Sequence, residues 1–286
     1  MIRIMAALAT AACLGAALAP AARAANAAAP LPPGAAALGY RKCIIDEKPS
    51  AADVTPKHDG DYKWFSGQWY AQPKPPMSKY STRDGVLALS LDGDLVSAPN
   101  DFTASKLPLL PGDKGFYVEF TSWLSDSDPD HWPAVWIMPM EHNGKQLDHY
   151  AGDPAGYERW MELDVDEGGF GPGLTGTVHS WSGIWGKGAG YKNIQNPNNV
   201  VHTPLDRTKK HTFGASYDPA TSTVTWWVDG VKQMSATAPY VPSVAAKQHF
   251  YLIISNQSHG KRKPYLMFVS RVRAYVPPGS AALDAK

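Results

Sequence analysis

Cysteine is almost missing: Cys13 and Cys43 are the two in 286 residues, too few for a disulfide scaffold or a cysteine-ligated zinc site. A dominant charge is missing too, because 27 Lys and Arg stand against 26 Asp and Glu for a net +1. Such a balance offers no basic face for nucleic acid and no pull towards anionic membranes. There is no long amphipathic helical period, no internal repeat, no glycine-rich phosphate loop, no serine elbow and no EF-hand or His-rich zinc spacing. A neutral partner, such as a sugar polymer, fits this chemistry better than a charged one.

What is abundant is tryptophan (10), with glycine and proline at 25 each. Arg3, the apolar run Ile4 to Leu18 and the small-residue end Ala22-Arg23-Ala24 read as an export segment over residues 1–24, too short and alanine-rich for a convincing membrane span. Its removal would take Cys13 and leave 25 basic against 26 acidic residues. The mature chain is expected to be secreted or periplasmic and to act as a monomer, with no nucleic-acid partner, no membrane partner and no internal disulfide. Residues 25–58 read as an Ala/Pro-rich leader and an irregular approach. From 59 to 276 short β-runs alternate with turn signals, among them Asp92-Gly93, Asp218-Pro219 and Asp229-Gly230. Residues 277–286 read as a polar tail. The pattern predicts an all-β fold, a sandwich of two antiparallel sheets.

One stretch stands apart: Glu162-Leu163-Asp164-Val165-Asp166-Glu167, four acids in six residues. Like charges this close raise one another's pKa. On a pleated strand Glu162, Asp164 and Asp166 share one face while Leu163 and Val165 enter the core. A single bulge after Asp164 would instead bring Glu167 onto the face of Glu162 and Asp164. A solvated acidic face and a calcium site are the plain alternatives. Alternation with apolar residues and the nearby tryptophans favour a functional strand, and paired carboxylates are the equipment of glycoside hydrolysis.

With its neighbours this stretch resembles glycoside hydrolase family 16. Glu162, Asp164 and Glu167 match the family's bulged Glu-x-Asp-x-x-Glu signature. Trp132-Pro133-Ala134-Val135-Trp136 looks like its preceding strand, Gly176-Thr177-Val178-His179 like its following strand, and Trp226-Trp227-Val228-Asp229-Gly230 like a later hairpin. The resemblance implies a concanavalin A-like β-jelly-roll sandwich with a concave carbohydrate-binding cleft and an exported, endo-acting, retaining hydrolase of β-linked polysaccharide. A transglycosylase and a non-catalytic glycan-binding protein are the alternatives on the same fold.

It further implies Glu162 as nucleophile, Glu167 as acid/base, and Asp164 as the group that keeps their charge states apart. Retention requires the two carboxyls to be about 5–5.5 Å apart. Trp132, Trp136, Trp160 and Trp181 are candidate sugar platforms, and His179 and Asn256 candidate hydrogen-bonding groups. Trp136 shares its face with Ala134 and Met138, so core is its alternative reading. No cofactor is implied. Family members often bind a structural calcium through an aspartate of the last strand, where this chain has Ser270.

Overall fold

The computed structural model describes residues 30–57, 62–99, 105–143, 147–187 and 190–280. The expected export segment and residues 281–286 lie outside the described residues. In chain order the strands are β1 (Lys42–Glu47), β2 (Val54–Thr55), β3 (Trp64–Ser66), β4 (Tyr80–Arg83), β5 (Val86–Ser90), β6 (Gly93–Val96), β7 (Leu110–Pro111), β8 (Phe116–Leu124), β9 (Trp132–Pro139), β10 (Tyr157–Glu167), β11 (Thr177–Ile184), β12 (Lys192–Gln195), β13 (His211–Asp218), β14 (Thr223–Val228), β15 (Val231–Ala236), β16 (His249–Gln257) and β17 (Leu266–Val276). One sheet runs β15-β14-β13-β8-β17-β5-β4, with β1 also on β17. The other runs β12-β11-β10-β9-β16-β6-β3-β2, with β7 also on β16. Nearly all pairings are antiparallel, as the alternating sequence pattern predicts; β2 and β3 run parallel.

The two sheets enclose the core. Leu87, Leu89, Phe116, Val118 and Phe120 on one side meet Val135, Ile137, Met161, Leu163, Val165, Leu252 and Ile254 on the other. Fully burying each such side chain contributes about 1.5–3 kcal/mol. The outer face of the second sheet is also apolar, with Phe65, Trp136, Met138, Trp160, Tyr251 and Ile253 in a separate cluster. These side chains are themselves buried, so this face carries a second, smaller apolar layer.

Two expectations are corrected by the packing. Residues 31–57, read as leader and irregular approach, belong to the same compact unit as the rest of the sandwich. Pro33–Ala37 forms a short helix, Ala35 packs with Tyr40, Tyr117 and Tyr275, and β1 pairs along β17 from Lys42 to Glu47. The Ala/Pro composition hid this, because a short helix and an edge strand leave little periodic signal. Asp92-Gly93 is a tight turn, with Asp92 at φ 62°, but it does not close a hairpin. It carries the chain from β5 in one sheet to β6 in the other. Asp229-Gly230, with both residues at positive φ, does close the β14–β15 hairpin.

Candidate active site

Strand β10 carries the acidic stretch, and its pairing decides which way each carboxyl faces. Asp164 sits opposite Trp136 of β9, but the next pair is Asp166 with Val135, so one extra residue is inserted between them. Val135 belongs to the core and Trp136 to the outer face. The bulge therefore sends both Val165 and Asp166 inward and returns Glu167, paired with Ala134, to the outer face with Glu162 and Asp164. The predicted bulge is present.

Three contacts hold this geometry. Inside, Arg207 grips Asp166 with both arms, Nη1 to Oδ2 at 2.6 Å and Nη2 to Oδ1 at 2.9 Å. From the opposite sheet, Trp226 Nε1 donates to the backbone oxygen of Asp164, the residue just before the bulge, at 2.8 Å. The backbone N–H of Glu167 donates to Thr175 O at 2.9 Å. Sequence reasoning left Trp226 aside and did not single out Arg207. The tandem Trp226-Trp227 was visible, but not which ring turned inward.

On the outer face each carboxyl has its own donor. Trp181 Nε1 donates to Glu162 Oε2 at 2.8 Å, Trp132 Nε1 to Glu167 Oε1 at 2.7 Å, and His179 Nε2 to Asp164 Oδ2 at 3.0 Å. Glu162 lies directly opposite His179 in the ladder, so the Trp181 and His179 bonds run diagonally, as same-face neighbours can. Burial, and then the Asp164 charge, raise Glu162 to about 8 and Glu167 to about 7. The two carboxyls share one field, so their protons leave as those of a pair. For His179 burial pulls the pKa down, but the hydrogen bond to Asp164 and the charges of Asp164 and Glu162 lift it to about 9. An imidazolium has two donors and no acceptor. The otherwise unpartnered Asn193 Oδ1 can meet its Nδ1–H, since Asn193 Nδ2 lies 2.8 Å from that nitrogen and an amide turn exchanges the two atoms.

Beside Glu162 opens a cavity of about 540 Å³, lined among others by Trp69, Trp136, Trp160, Trp181, Trp185 and Tyr191. Trp160 and Trp181 stack at 5.5 Å and 16°. Trp136 thus packs in the outer cluster and also faces the cavity, its Nε1 donating to Ser255 at 3.0 Å. Beside Glu167, Trp132 stacks on His259 at 3.9 Å and meets Phe170 edge-on at 4.7 Å. Gly169 is required there: its φ is +84°, and a Cβ would come within 2.1 Å of the Trp132 ring.

Asn256 does not join the site. Its side chain points between the sheets, donating to Leu89 O at 2.8 Å, and it is fully buried. It follows Ile254 inward while Ser255 faces out, the alternation a regular strand imposes. The glycine- and asparagine-rich stretch after β11 packs against the site through its described residues 190–204. It forms β12 beside β11 and brings Tyr191, Asn193 and Gln195 to the Trp160–His179 wall.

Among the described residues two groups of side chains have metal-ligating spacing: Glu162, Asp164 and His179, and His142, Asp148 and Glu158. In the first, Glu162 and Asp164 each already hold a hydrogen bond from Trp181 or His179. In the second, two carboxylate oxygens have none.

No protein-family model matches the chain, and no curated protein sequence matches it. Solved structures do match in fold. A β-porphyranase of the human gut bacterium Bacteroides plebeius aligns at a TM-score of 0.53 and 16% identity, over 76% of this chain and 86% of that one. The laminarinase of Rhodothermus marinus aligns at 0.47 and 17%, over 82% and 97%. The chain has a jelly-roll sandwich fold like that of glycoside hydrolase family 16, as its sequence motifs implied.

Proposed function

We propose that this protein is an exported, endo-acting, retaining glycoside hydrolase that cuts a neutral β-linked polysaccharide without a cofactor. The observation that carries the reading is the β10 bulge, which sets Glu162 and Glu167 on one face with Asp164 between them. Glu162 attacks the anomeric carbon and the C–O bond to the leaving sugar breaks. Glu167 gives that oxygen its proton, then takes one from the water that releases the glycosyl-enzyme. Attack needs a charged Glu162 and a protonated Glu167, whereas burial in the cleft raises Glu162 (to about 8) more than Glu167 (to about 7). The His179 imidazolium and the Trp181 N–H are the groups that favour the charged form of Glu162. Trp132 on one side, and Trp160 and Trp181 on the other, supply flat apolar faces for sugar rings.

A neutral polymer is favoured over a sulfated one because the described lining of the cavity contains no Lys or Arg. Sulfate groups there would meet Glu158 and Glu162 with no cation to receive them. The test is reducing-end release from laminarin, lichenan, xyloglucan, agarose and carrageenan, with wild type beside Glu162→Gln, and the product anomer read by NMR. Activity on a neutral polymer with retained configuration, lost in the variant, supports the proposal. Inverted product, or binding without turnover that is the same in both proteins, refutes it.

A further inference from the structure

His142 and Glu158 line the same cavity as Glu162, and with the enclosed Asp148 they form a second polar group that the proposed chemistry does not use. Each offers one donor atom, and the three atoms lie within 4.8 Å of one another. Asp148 is 0% exposed and Glu158 7%. One oxygen of each has a partner: His142 Nδ1 meets Asp148 Oδ2 at 2.7 Å, and the Tyr191 hydroxyl, which itself receives Trp160 Nε1 at 3.0 Å, bonds Glu158. The other oxygens, Asp148 Oδ1 and Glu158 Oε1, are buried with no partner.

Buried carboxylates are stable when a cation pairs with them. Among the described residues no Lys or Arg forms an ion pair with Asp148 or Glu158, and the nearby Arg159 is held by Asp153 at 3.0 Å. We propose that His142, Asp148 and Glu158 form a binding site for one first-row divalent metal ion of the zinc type. One imidazole nitrogen and two carboxylate oxygens are a donor set zinc accepts, and two atoms each about 2.0–2.2 Å from one ion stand at most about 4.4 Å apart. Small side-chain movements from the observed spacing close the set. Calcium, which takes six to eight oxygens, does not suit it.

Such an ion has a structural consequence for the neighbouring site. The His142 ring stacks on Trp160 at 3.8 Å and 13°, Trp160 stacks on Trp181, and Trp181 holds Glu162. The ion anchors the outer end of this aromatic wall. Three protein ligands leave a coordination position open, and two of the three line the cavity. The inference rests on the donor set and holds whether or not the protein hydrolyses glycans.

The test uses the untagged full chain stripped with a chelator, then titrated calorimetrically with zinc chloride, with calcium chloride as a second arm. Glu158→Gln and Asp148→Asn keep the side-chain shape and are checked for native folding by circular dichroism. The expected result is one saturable zinc per chain and a zinc-dependent rise in unfolding temperature. Zinc affinity should fall at least tenfold in both variants, with no saturable calcium uptake. Absence of saturable zinc uptake by the folded wild type, or unchanged uptake in Glu158→Gln, overturns the proposal.

Discussion

Trp181 and Glu162 are joined across the β10–β11 ladder by a 2.8 Å hydrogen bond from the indole Nε1–H to Oε2. The same ring stacks on Trp160, so one side chain both forms the cavity wall and holds the proposed nucleophile. The two roles separate in Trp181→Phe, which keeps an aromatic face and removes the donor. A hydrogen bond to a charged group contributes about 1.5–3 kcal/mol, so kcat should fall by about one to two orders of magnitude. KM should change much less. A KM effect with kcat intact would show that the ring binds sugar and does not act on Glu162.

Glu167, held at Oε1 by Trp132, is assigned the proton for the leaving oxygen. General acid catalysis contributes about 10²–10⁴-fold, so Glu167→Gln should lose activity on the natural polymer by that amount. An aryl glycoside with an acidic phenol needs no such proton. On it the first step should survive and the second, now without its base, should become limiting, visible as a burst of phenol. Equal loss on both substrates, with no burst, would take the acid role away from Glu167.

The raised pKa values set the direction of the pH dependence of stability. His179 titrates at about 9 in the folded protein, against about 6.5 in an unfolded chain. The native state holds that proton more tightly, so its contribution is fully present below about pH 6.5 and is lost as pH rises through 9. Glu162 and Glu167, raised to about 8 and 7, act in the same sense: their contribution is present below their unfolded values near 4.3 and is lost as pH rises through the folded ones. Unfolding temperature should therefore fall as pH rises from about 4 to about 9. Glu162→Gln has no charge to bury there, and should be more stable than wild type at pH 9 but not at pH 4. A flat profile for wild type would contradict these shifts.

The alternation of Leu163 and Val165 with the acids makes β10 readable in the sequence, and the family motif points to the bulge. Strands such as β8, β9, β13, β14 and β16 follow from apolar runs between turn residues. What stayed hidden was set by partners distant in sequence. Asn256 sits one residue beyond Ser255, and pairing alone decides which of the two faces out. The Lys192–Gln195 strand has no apolar alternation, because as an outer strand its side chains meet water on one side and the His179 wall on the other. His142 and Glu158 are single polar residues in unremarkable segments, and only the fold brings them together beside Asp148.

The inward turn of Asp166 is the part of the bulge with the largest energetic consequence. Its carboxylate and the Arg207 guanidinium are both almost fully buried, with side chains 4% and 12% exposed, and Arg207 also donates to Gly173 O at 3.0 Å. Removing one partner leaves the other charge uncompensated, at a cost of about 3–5 kcal/mol. Arg207→Met should lose that much stability in urea unfolding. It should also lose activity, because the freed Asp166 can reach solvent by slipping the register, which turns Glu167 off the cleft face. Adding Asp166→Leu removes the second charge, and replacing both members of a buried pair by apolar residues is often neutral. The double variant should recover most of the stability, and activity with it if inward packing at position 166 is what keeps Glu167 in place. Recovered stability with activity still absent would show that the ion pair itself, and not apolar packing, aims the acid. A loss below about 1 kcal/mol in Arg207→Met, the size of an exposed pair, would mean that Trp226 and the Thr175 contact hold the bulge without it.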